Sequence, residues 1–559
     1  MTMTSASHFV FRNGKFFQAS KPTDGSKPEA TFAEALVIKD GVITFVGDAG
    51  AKEVTAALDG GAKQRDVQGR LVVPGFFDGH VHLAILGQSL NKLSLKHCNN
   101  LEDIRKAIRE YARTNPDQKR IFCREWMHSM TPEGACATML DDLDPKGRPI
   151  LITTKDLHST WANSAALAEL KLDDEPDPPG GNIERDPETG KPSGVIAEAA
   201  NMKFIRPYMA SIQTMDDRVK AIKAAITEYN SAGYTGLIDM AMDPDGWDAL
   251  QEYRKREKAA GRTIPMRMAI YWLILPKDTD AEHIAQVEEA AELAKEFSQE
   301  TDPECRVVGI KLVCDGIIDS CTASLKEPYS HNLGTTEPVW TPEMLGPVVE
   351  CATKHRLQLA LHAIGDRTVG NAIDALEKYA DPALRPRIEH LEITTEEDAR
   401  RLGKLGITAS IHPVHADPAI IRAWPKLIGE HRCGRAFAYR EFADGGAPLA
   451  IGSDSPSAPH QLIHNLYVAT NRRSAREPEL QTVINGHFAL TLCETVSGMT
   501  EGAARSCFSE DQVGTLEVGK RADLVVMDME WDPKMVLQSR VVETWFDGTQ
   551  VYAASQQHI

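Results

Sequence analysis

Residues 357–366 read LQLALHAIGD, an apolar run ended by a histidine, then a glycine and an acid. A strand this apolar can show neither face to water, so it belongs in a parallel sheet covered by helices. Runs of the same kind lie on both sides: YTGLIDMA (234–241) and RVVGIKLVCDG (306–316) upstream, and RPRIEHLE (385–392), ITASIHP (407–413) and APLAIGSDSP (447–456) downstream. Each follows a plausible amphipathic helix. Ahead of 234, Val219, Ile222, Ile226 and Tyr229 keep a three-to-four residue period that stops at Gly233, and ahead of 306 Ile284, Val287, Ala291 and Leu293 share one face. Repeated β/α units from Gly233 to Asp454 predict an α/β chain, most simply a (β/α)₈ barrel of the TIM type, although a doubly wound sheet shows similar local patterns.

The ends of the chain read differently. FVFRNGKFF (9–17), EALVIKDGVITFVGD (34–48) and DVQGRLVV (66–73) are hairpin-like runs with Asn-Gly and Asp-Gly turns, and GTLEVGKRADLVVMD (514–528) and VVETWFDGTQVY (541–552) repeat the style. They predict a small β-sandwich domain built from both termini, residues 1–73 and 505–559, around a barrel at 74–504. A stretch near 120–205 is rich in turns, with DDEPDPPGGNIERDPETGKPSG at 173–194, and reads as an insertion over the barrel mouth or as a linker.

Composition narrows the function. With 42% hydrophobic and 25% charged residues the chain suits a globular protein with a sizeable core, and a net charge of −18 argues against nucleic acid or an anionic membrane as a general partner. No apolar stretch reaches the roughly 20 residues of a membrane span, and no secretory signal is visible at the N-terminus. The ten cysteines lack any Cys-x-x-Cys pair, which fits reduced thiols in a cytoplasmic protein. A homodimer is compatible with all of this.

The chemistry begins at FFDGHVHL (76–83). Alternation along a strand puts His80 and His82 on one side, roughly 6 to 7 Å apart, within reach of a single metal ion, though two satisfied core histidines would look the same. His362, His390 and Asp454 also stand near the C-terminal ends of apolar runs. In a barrel these ends open onto one face, where active sites lie, so four histidines and an aspartate would converge as an N/O metal site. Lys311 in GIKLVCDG is an ammonium on an otherwise buried strand. It pairs with Asp315, or it is carbamylated by carbon dioxide into a carboxylate able to bridge two metals.

PGFFDGHVHL (74–83), GIKLVCDG (309–316), LHAIGDR (361–367), RIEHLE (387–392) and IGSDSP (451–456) together resemble the amidohydrolase superfamily, in particular the branch that includes N-substituted formamide deformylases. DLHSTWANSAAL (156–167), PGGNIERDPETGKPSGVIAEAA (179–200) and LEVGKRADLVVMD (516–528) extend the resemblance over nearly the whole chain. It implies a metal-dependent hydrolase holding one or two zinc ions, with His80, His82, His362 and His390 as ligands, carbamylated Lys311 as a further ligand, and Asp454 as both ligand and proton shuttle. One departure stands out: relatives often carry Gln where this chain has His412 in SIHPVH (410–415). His412 is therefore expected at the substrate, with His158 and His415 as further candidates for holding its oxygen. Asp366 and Asp315 would orient ligands from behind, unless Asp366 simply caps the following helix.

The expected reaction is hydrolysis of a non-peptide C–N bond of a small molecule, an amide or N-formyl group, through a metal-activated water. Hydrolytic deamination and cyclic-amide opening are the rival chemistries, and an inactive metal-binding scaffold is the rival without chemistry. Two other motifs are set aside. GTLEVGKR, from Gly514, lacks the Ser or Thr of a phosphate-binding loop, and MDPDGWDALQE, from Met242, lacks the spacing of a calcium loop.

Overall fold

The computed structural model describes residues 8–20, 27–154, 159–178, 181–331 and 333–555. Eight parallel strands form its central sheet in chain order: β1 (Phe76–Val81), β2 (Tyr234–Met242), β3 (Arg267–Leu273), β4 (Cys305–Val313), β5 (Gln358–Ala363), β6 (Arg387–His390), β7 (Thr408–Ile411) and β8 (Leu449–Ile451). The last strand returns to the first. Asp454 N–H donates to His80 O at 2.8 Å, His82 N–H donates to Ser455 O at 2.9 Å, and Val81 bridges Ser455 in parallel. Glycines permit this seam: a Cβ on Gly452 would stand 2.4 Å from His80 N, and one on Gly79 2.9 Å from Ile451 O. The buried Asp78 carboxylate ties it further, accepting from Ser453 N–H at 2.9 Å and from Ser453 Oγ at 2.6 Å. The barrel expected from the apolar runs is thus present and closed.

Helices return the chain between strands with local signals of their own. The helix Pro244–Ala259 begins where the Asp243 side chain accepts from Gly246 N–H, and Asp280–Glu296 begins with a reciprocal capping box between Thr279 and Glu282. Glu396–Leu405 starts at Thr395 and stops at Gly406, whose φ of 67° ends the helix in the left-handed region. Because every helix brings the chain back in the same sense, all eight strands point their C-terminal ends the same way.

The terminal segments pair as expected into one β domain. Its strands run in the order Thr549–Ala553, Arg540–Phe546, Leu524–Asp528, Leu71–Pro74, His8–Ala19, Ala30–Lys39 and Val42–Gly47, with Lys63–Asp66 beside His8–Ala19. The two ends of the chain meet where Leu524–Asp528 lies antiparallel to Leu71–Pro74. Phe11 and Trp545 sit three strands apart in that order, about 14 Å on a flat sheet, yet their rings are 5.0 Å apart. The sheet therefore folds over on itself around Phe11, Phe16, Leu36, Leu524 and Trp545. Its other face, through Val10, Ala35 and Val37, is covered by Val54 and Ala57 of the helix Lys52–Asp59.

Barrel and terminal domain make up one compact unit, residues 1–83 and 226–559, and residues 84–225 form a second. The second unit is wider than the turn-rich stretch 120–205, because ordinary segments, the strand Leu93–Ser94 and the amphipathic helix Leu101–Thr114, belong to it. It has its own six-stranded sheet and a core of Ile104, Ile108, Ile121, Trp126, Ile152 and Trp161. The Pro- and Gly-rich run contributes the hairpin Gly181–Arg185 and Pro192–Glu198. Among the described residues no helix is long and apolar enough to cross a membrane. All ten cysteines are free thiols.

Candidate metal centre

The C-terminal ends of the strands gather a cluster of imidazoles around one carboxylate. Asp454, just beyond β8, has Oδ1 3.3 Å from His80 Nε2 and 3.2 Å from His82 Nε2, and Oδ2 3.4 Å from His415 Nε2. His80 and His82, at the end of β1, do share a side, with ring centroids 5.4 Å apart. His390 closes β6, its ring 5.2 Å from His80 and 4.2 Å from His362 on β5. The backbone is bent to achieve this: Asp454 (φ 54°), His390 (φ 78°) and Leu391 (φ 52°) all adopt the left-handed conformation. Such conformations cost roughly 1–3 kcal/mol each outside glycine and persist where the surroundings impose them.

His80 is held from behind. Its Nδ1 lies 2.7 Å from Glu389 Oε2, and Glu389 in turn accepts from Arg387 Nε at 2.6 Å and Nη2 at 3.2 Å. Arg387 is wholly buried and spends its remaining donors on Gly79 O, Ser410 Oγ and Ser506 Oγ, at 2.7, 2.7 and 2.9 Å. Burial pushes the Glu389 carboxyl up, but the charges of Arg387 and Lys311 overcome it and hold it ionised. With Nδ1–H donated to Glu389, His80 turns the Nε2 lone pair toward the cluster. Burial also keeps His80 and His390 well below the ordinary imidazole range and pushes His362 and His412 down to about 3, so all four present lone pairs.

His415 is the exception. Burial lowers it, but the hydrogen bond and charge of Glu392, with Nδ1 2.9 Å from Glu392 Oε1, raise it above the ordinary value. It lies between two acidic groups, Glu392 and Asp454. Desolvation raises the Asp454 carboxyl, but His80, His82 and His415 outweigh it and hold it well below the ordinary carboxylate range.

The remaining expected residues fall in different places. Lys311 is buried on β4, lowered by its desolvation, and near enough for its charge to depress His80 and His362. It does not pair with Asp315, whose carboxylate is spent on the backbone N–H groups of Ser324, Ile364 and Gly365 at 2.9–3.0 Å and lies 3.5 Å from His362 Nε2. Burial, opposed by those three donors, raises Asp315 to about 7. Asp366 neither touches a site histidine nor caps its helix. It sits in the first turn of Asp366–Tyr379, where Gly365 holds the cap position, and accepts from Lys326 N–H at 2.9 Å. His412 lies within the cluster itself, its ring 4.5 Å from His80 and 4.7 Å from His390. His158 falls outside the described residues.

The donor set fits a divalent cation. Three groups have ligand atoms within 4.8 Å of one another: His80, His390 and His412; His80, His82 and Asp454; and His390, Glu392 and His415. Nδ1 of His390 and both ring nitrogens of His412 are buried without a hydrogen-bond partner among the described residues. Each such atom costs roughly 1–3 kcal/mol if left bare, and a cation satisfies the nitrogen that carries the lone pair. Nitrogen and carboxylate oxygen at these positions are the ligands zinc and its neighbours take. Sequence reading missed Asp78, Arg387, Glu389 and Glu392. The signal was there in RIEHLE, where charges interrupt a buried strand as Lys311 does, but nothing in one dimension shows what such charges face.

A model of the amidohydrolase family, Amidohydro_3, matches residues 64–552. Protein LONG AFTER FAR-RED 3 of Arabidopsis thaliana is 27% identical over 559 aligned positions, covering 97% of this chain and 91% of that protein. The N-substituted formamide deformylase of Arthrobacter pascens is 24% identical over 546, covering 93% and 95%. A crystal structure of an uncharacterized metal-dependent hydrolase from Pyrococcus horikoshii OT3 superposes with a TM-score of 0.74 at 24% identity, over 94% of this chain and 98% of that one, and so shares the fold. With most of its length matched, the chain belongs to the amidohydrolase family.

Proposed function

We propose that the protein is a metal-dependent hydrolase cleaving a carbon–nitrogen bond of a small molecule, an amide or an N-formyl group. The observation that carries this reading is the convergence of His80, His82 and His415 on the Asp454 carboxylate within 3.2–3.4 Å in a member of the amidohydrolase family. His80, His82, His390 and Asp454 would hold the cation, with His412 as a further ligand and His362 and a carbamylated Lys311 supplying a second position. Zinc is the ion this donor set suits best. Bound there, a divalent ion supplies a Lewis acid that acidifies water and polarises a carbonyl.

The protein's own groups account for the rest. Asp454, an ionised carboxylate in a buried site, takes a proton at Oδ2 and passes it to the departing nitrogen. His415, raised above the ordinary imidazole range by Glu392, would when protonated turn its Nε2–H from Asp454 Oδ2 to the substrate oxygen as charge gathers there. Glu389 and Arg387 fix the tautomer and direction of His80, so the cluster pays no reorganisation during the reaction. The Arthrobacter pascens relative, by its name a formamide deformylase, favours a formyl group as the acyl part. The free cysteines suit a reducing, cytoplasmic setting.

Elemental analysis of the purified protein beside a His80→Ala/His82→Ala variant tests the site. About one or two equivalents of zinc or a similar ion, lost in the variant, are expected. A screen of N-formyl amines, acyl amides, lactams and amino-heterocycles, scored for formate, carboxylate and ammonia, tests the chemistry. No metal after incubation with zinc and bicarbonate, or ammonia from amino-heterocycles alone, would overturn the reading.

A further inference from the structure

The helix Leu462–Asn471 carries one asparagine, Asn465, in a wholly buried position. Asparagine is a poor helix former, and its amide is costly to bury unless both ends are paired. Both ends are paired here, to two different loops of the site. Oδ1 accepts from Val414 N–H at 3.1 Å, and Nδ2 donates to Gly452 O at 3.2 Å. Val414 lies between His412 and His415, and Gly452 is two residues before Asp454. A backbone N–H only donates and a carbonyl only accepts, so this span needs one donor and one acceptor on a short side chain. An amide supplies both; a carboxylate lacks the donor and an alkyl group lacks either.

The two loops are otherwise held by different neighbours. The ladder of β7 and β8 ends at Ile411 and Ile451, with Gly452 N–H on Ile411 O at 3.0 Å. Beyond it Asp454 goes with β1: the seam bonds tie it to His80 and His82, Asp78 holds Ser453, and Ser455 N–H donates to Ser453 Oγ at 3.1 Å. The turn Pro413–Ala416 goes with β6 and with the helix Tyr439–Asp444. Tyr439 Oη donates to His412 O at 3.3 Å, and His415 Nδ1 lies 2.9 Å from Glu392 Oε1, just after β6. Asn465 spans these two groups, which meet where His415 Nε2 comes within 3.4 Å of Asp454 Oδ2.

We propose that Asn465 is a positioning residue: by holding Val414 to Gly452 it sets how closely His415 approaches Asp454, and so whether both groups reach one substrate. The effect on turnover rests on the hydrolase reading above; the spacing does not. Asn465→Ala protein should bind zinc as wild type does, because His80, His82 and Asp454 are tied to one another without Asn465. In its crystal structure His415 Nε2 should lie beyond about 4 Å from Asp454 Oδ2, outside ion-pair distance. On any substrate found by the screen kcat should fall about 10–100-fold, with KM changed little. The same substitution made in His415→Ala protein should change kcat by less than about twofold, since the residue it acts through is already gone. Asn465→Leu, which keeps the branched shape and loses both bonds, serves the same comparisons if the alanine variant does not fold.

A spacing unchanged at 3.4 Å in the variant would overturn the proposal whatever the activity. So would loss of zinc, which would assign Asn465 to the metal centre, or an equal fall of kcat in both backgrounds, which would assign it to the fold at large. A widened spacing with kcat unchanged would also overturn it. Hydrolysis of no substrate by the metal-replete wild type would refute the hydrolase reading instead, and the spacing in the variant would still decide whether Asn465 holds the two loops together.

Discussion

Glu389→Gln is the substitution that separates a structural from a decorative reading of the buried charges behind His80. Glutamine keeps the volume of glutamate and one carbonyl oxygen, but it removes the only carboxylate that Arg387 touches among the described residues and replaces an acceptor by an NH₂ donor. That donor must face either Arg387 Nε, now 2.6 Å from Oε1, or both Arg387 Nη2 and His80 Nδ1, now 3.2 and 2.7 Å from Oε2. Arg387, wholly buried, would keep only neutral partners, Gly79 O, Ser410 Oγ and Ser506 Oγ. Breaking a buried pair from one side costs about 3–5 kcal/mol, a large share of the roughly 5–15 kcal/mol that holds an ordinary domain together. Losing the acceptor for His80 should weaken metal binding by about 10–100-fold as well. Urea unfolding with chelator present reads the first effect alone, and competition with a zinc indicator reads the second. The double change Arg387→Met/Glu389→Leu should recover most of the lost stability while leaving metal affinity low, because it removes the orphaned charge but not the defect at His80. A loss under about 1 kcal/mol in Glu389→Gln, or a double variant no more stable than the single one, would refute this account.

Three further outcomes follow from the structure. Asp454→Asn should lower kcat by about 10²–10⁴-fold on any substrate found by the screen, with unfolding midpoint changed little; a variant retaining half the activity would remove Asp454 from proton transfer. In the 84–225 unit the Arg148 guanidinium, 2.8 Å from a buried Asp144, holds that carboxyl down to about 2, so the pair stabilises fully above the ordinary carboxylate pKa near 4 and loses its contribution as pH falls through 2. Asp144→Asn should therefore cost about 2 kcal/mol at pH 7, and exchange of the Arg148 amide in wild type and variant should converge between pH 4 and 2; a gap that widened in acid would reverse the sign. In the same unit a Cβ on Gly87 would stand 2.1 Å from Ala221 O, so Gly87→Ala should destabilise by about 1–3 kcal/mol, seen as earlier proteolysis within 84–225, and an unchanged digestion pattern would contradict the close helix approach.

The barrel was legible because burial imposes composition: strands covered on both faces must be apolar, and helices between them must repeat every three to four residues. The same rule exposed His80, His82, His362, His390 and Asp454, each near the end of an apolar run, and Lys311, which interrupts one from within. The paired termini were legible through their turn residues. What one dimension withheld were relations between strands. Asp366 stands four residues after His362, yet the loop after β4 takes it for Lys326. His412, expected at the substrate, has both nitrogens bare between His80 and His390 because β7 lies beside β6 and near the seam where β8 meets β1. Arg387, Glu389 and Glu392 acquire their parts only when the barrel closes and sets Gly79, His80, Ser410 and His415 against them. Sequence alone thus determined which residues could not be ordinary core, since desolvation penalises them wherever they lie. Which of those became lone-pair donors, which a charged relay and which mere ties between loops was decided by tertiary structure, because hydrogen bonds and charges act over a few ångströms between segments hundreds of residues apart.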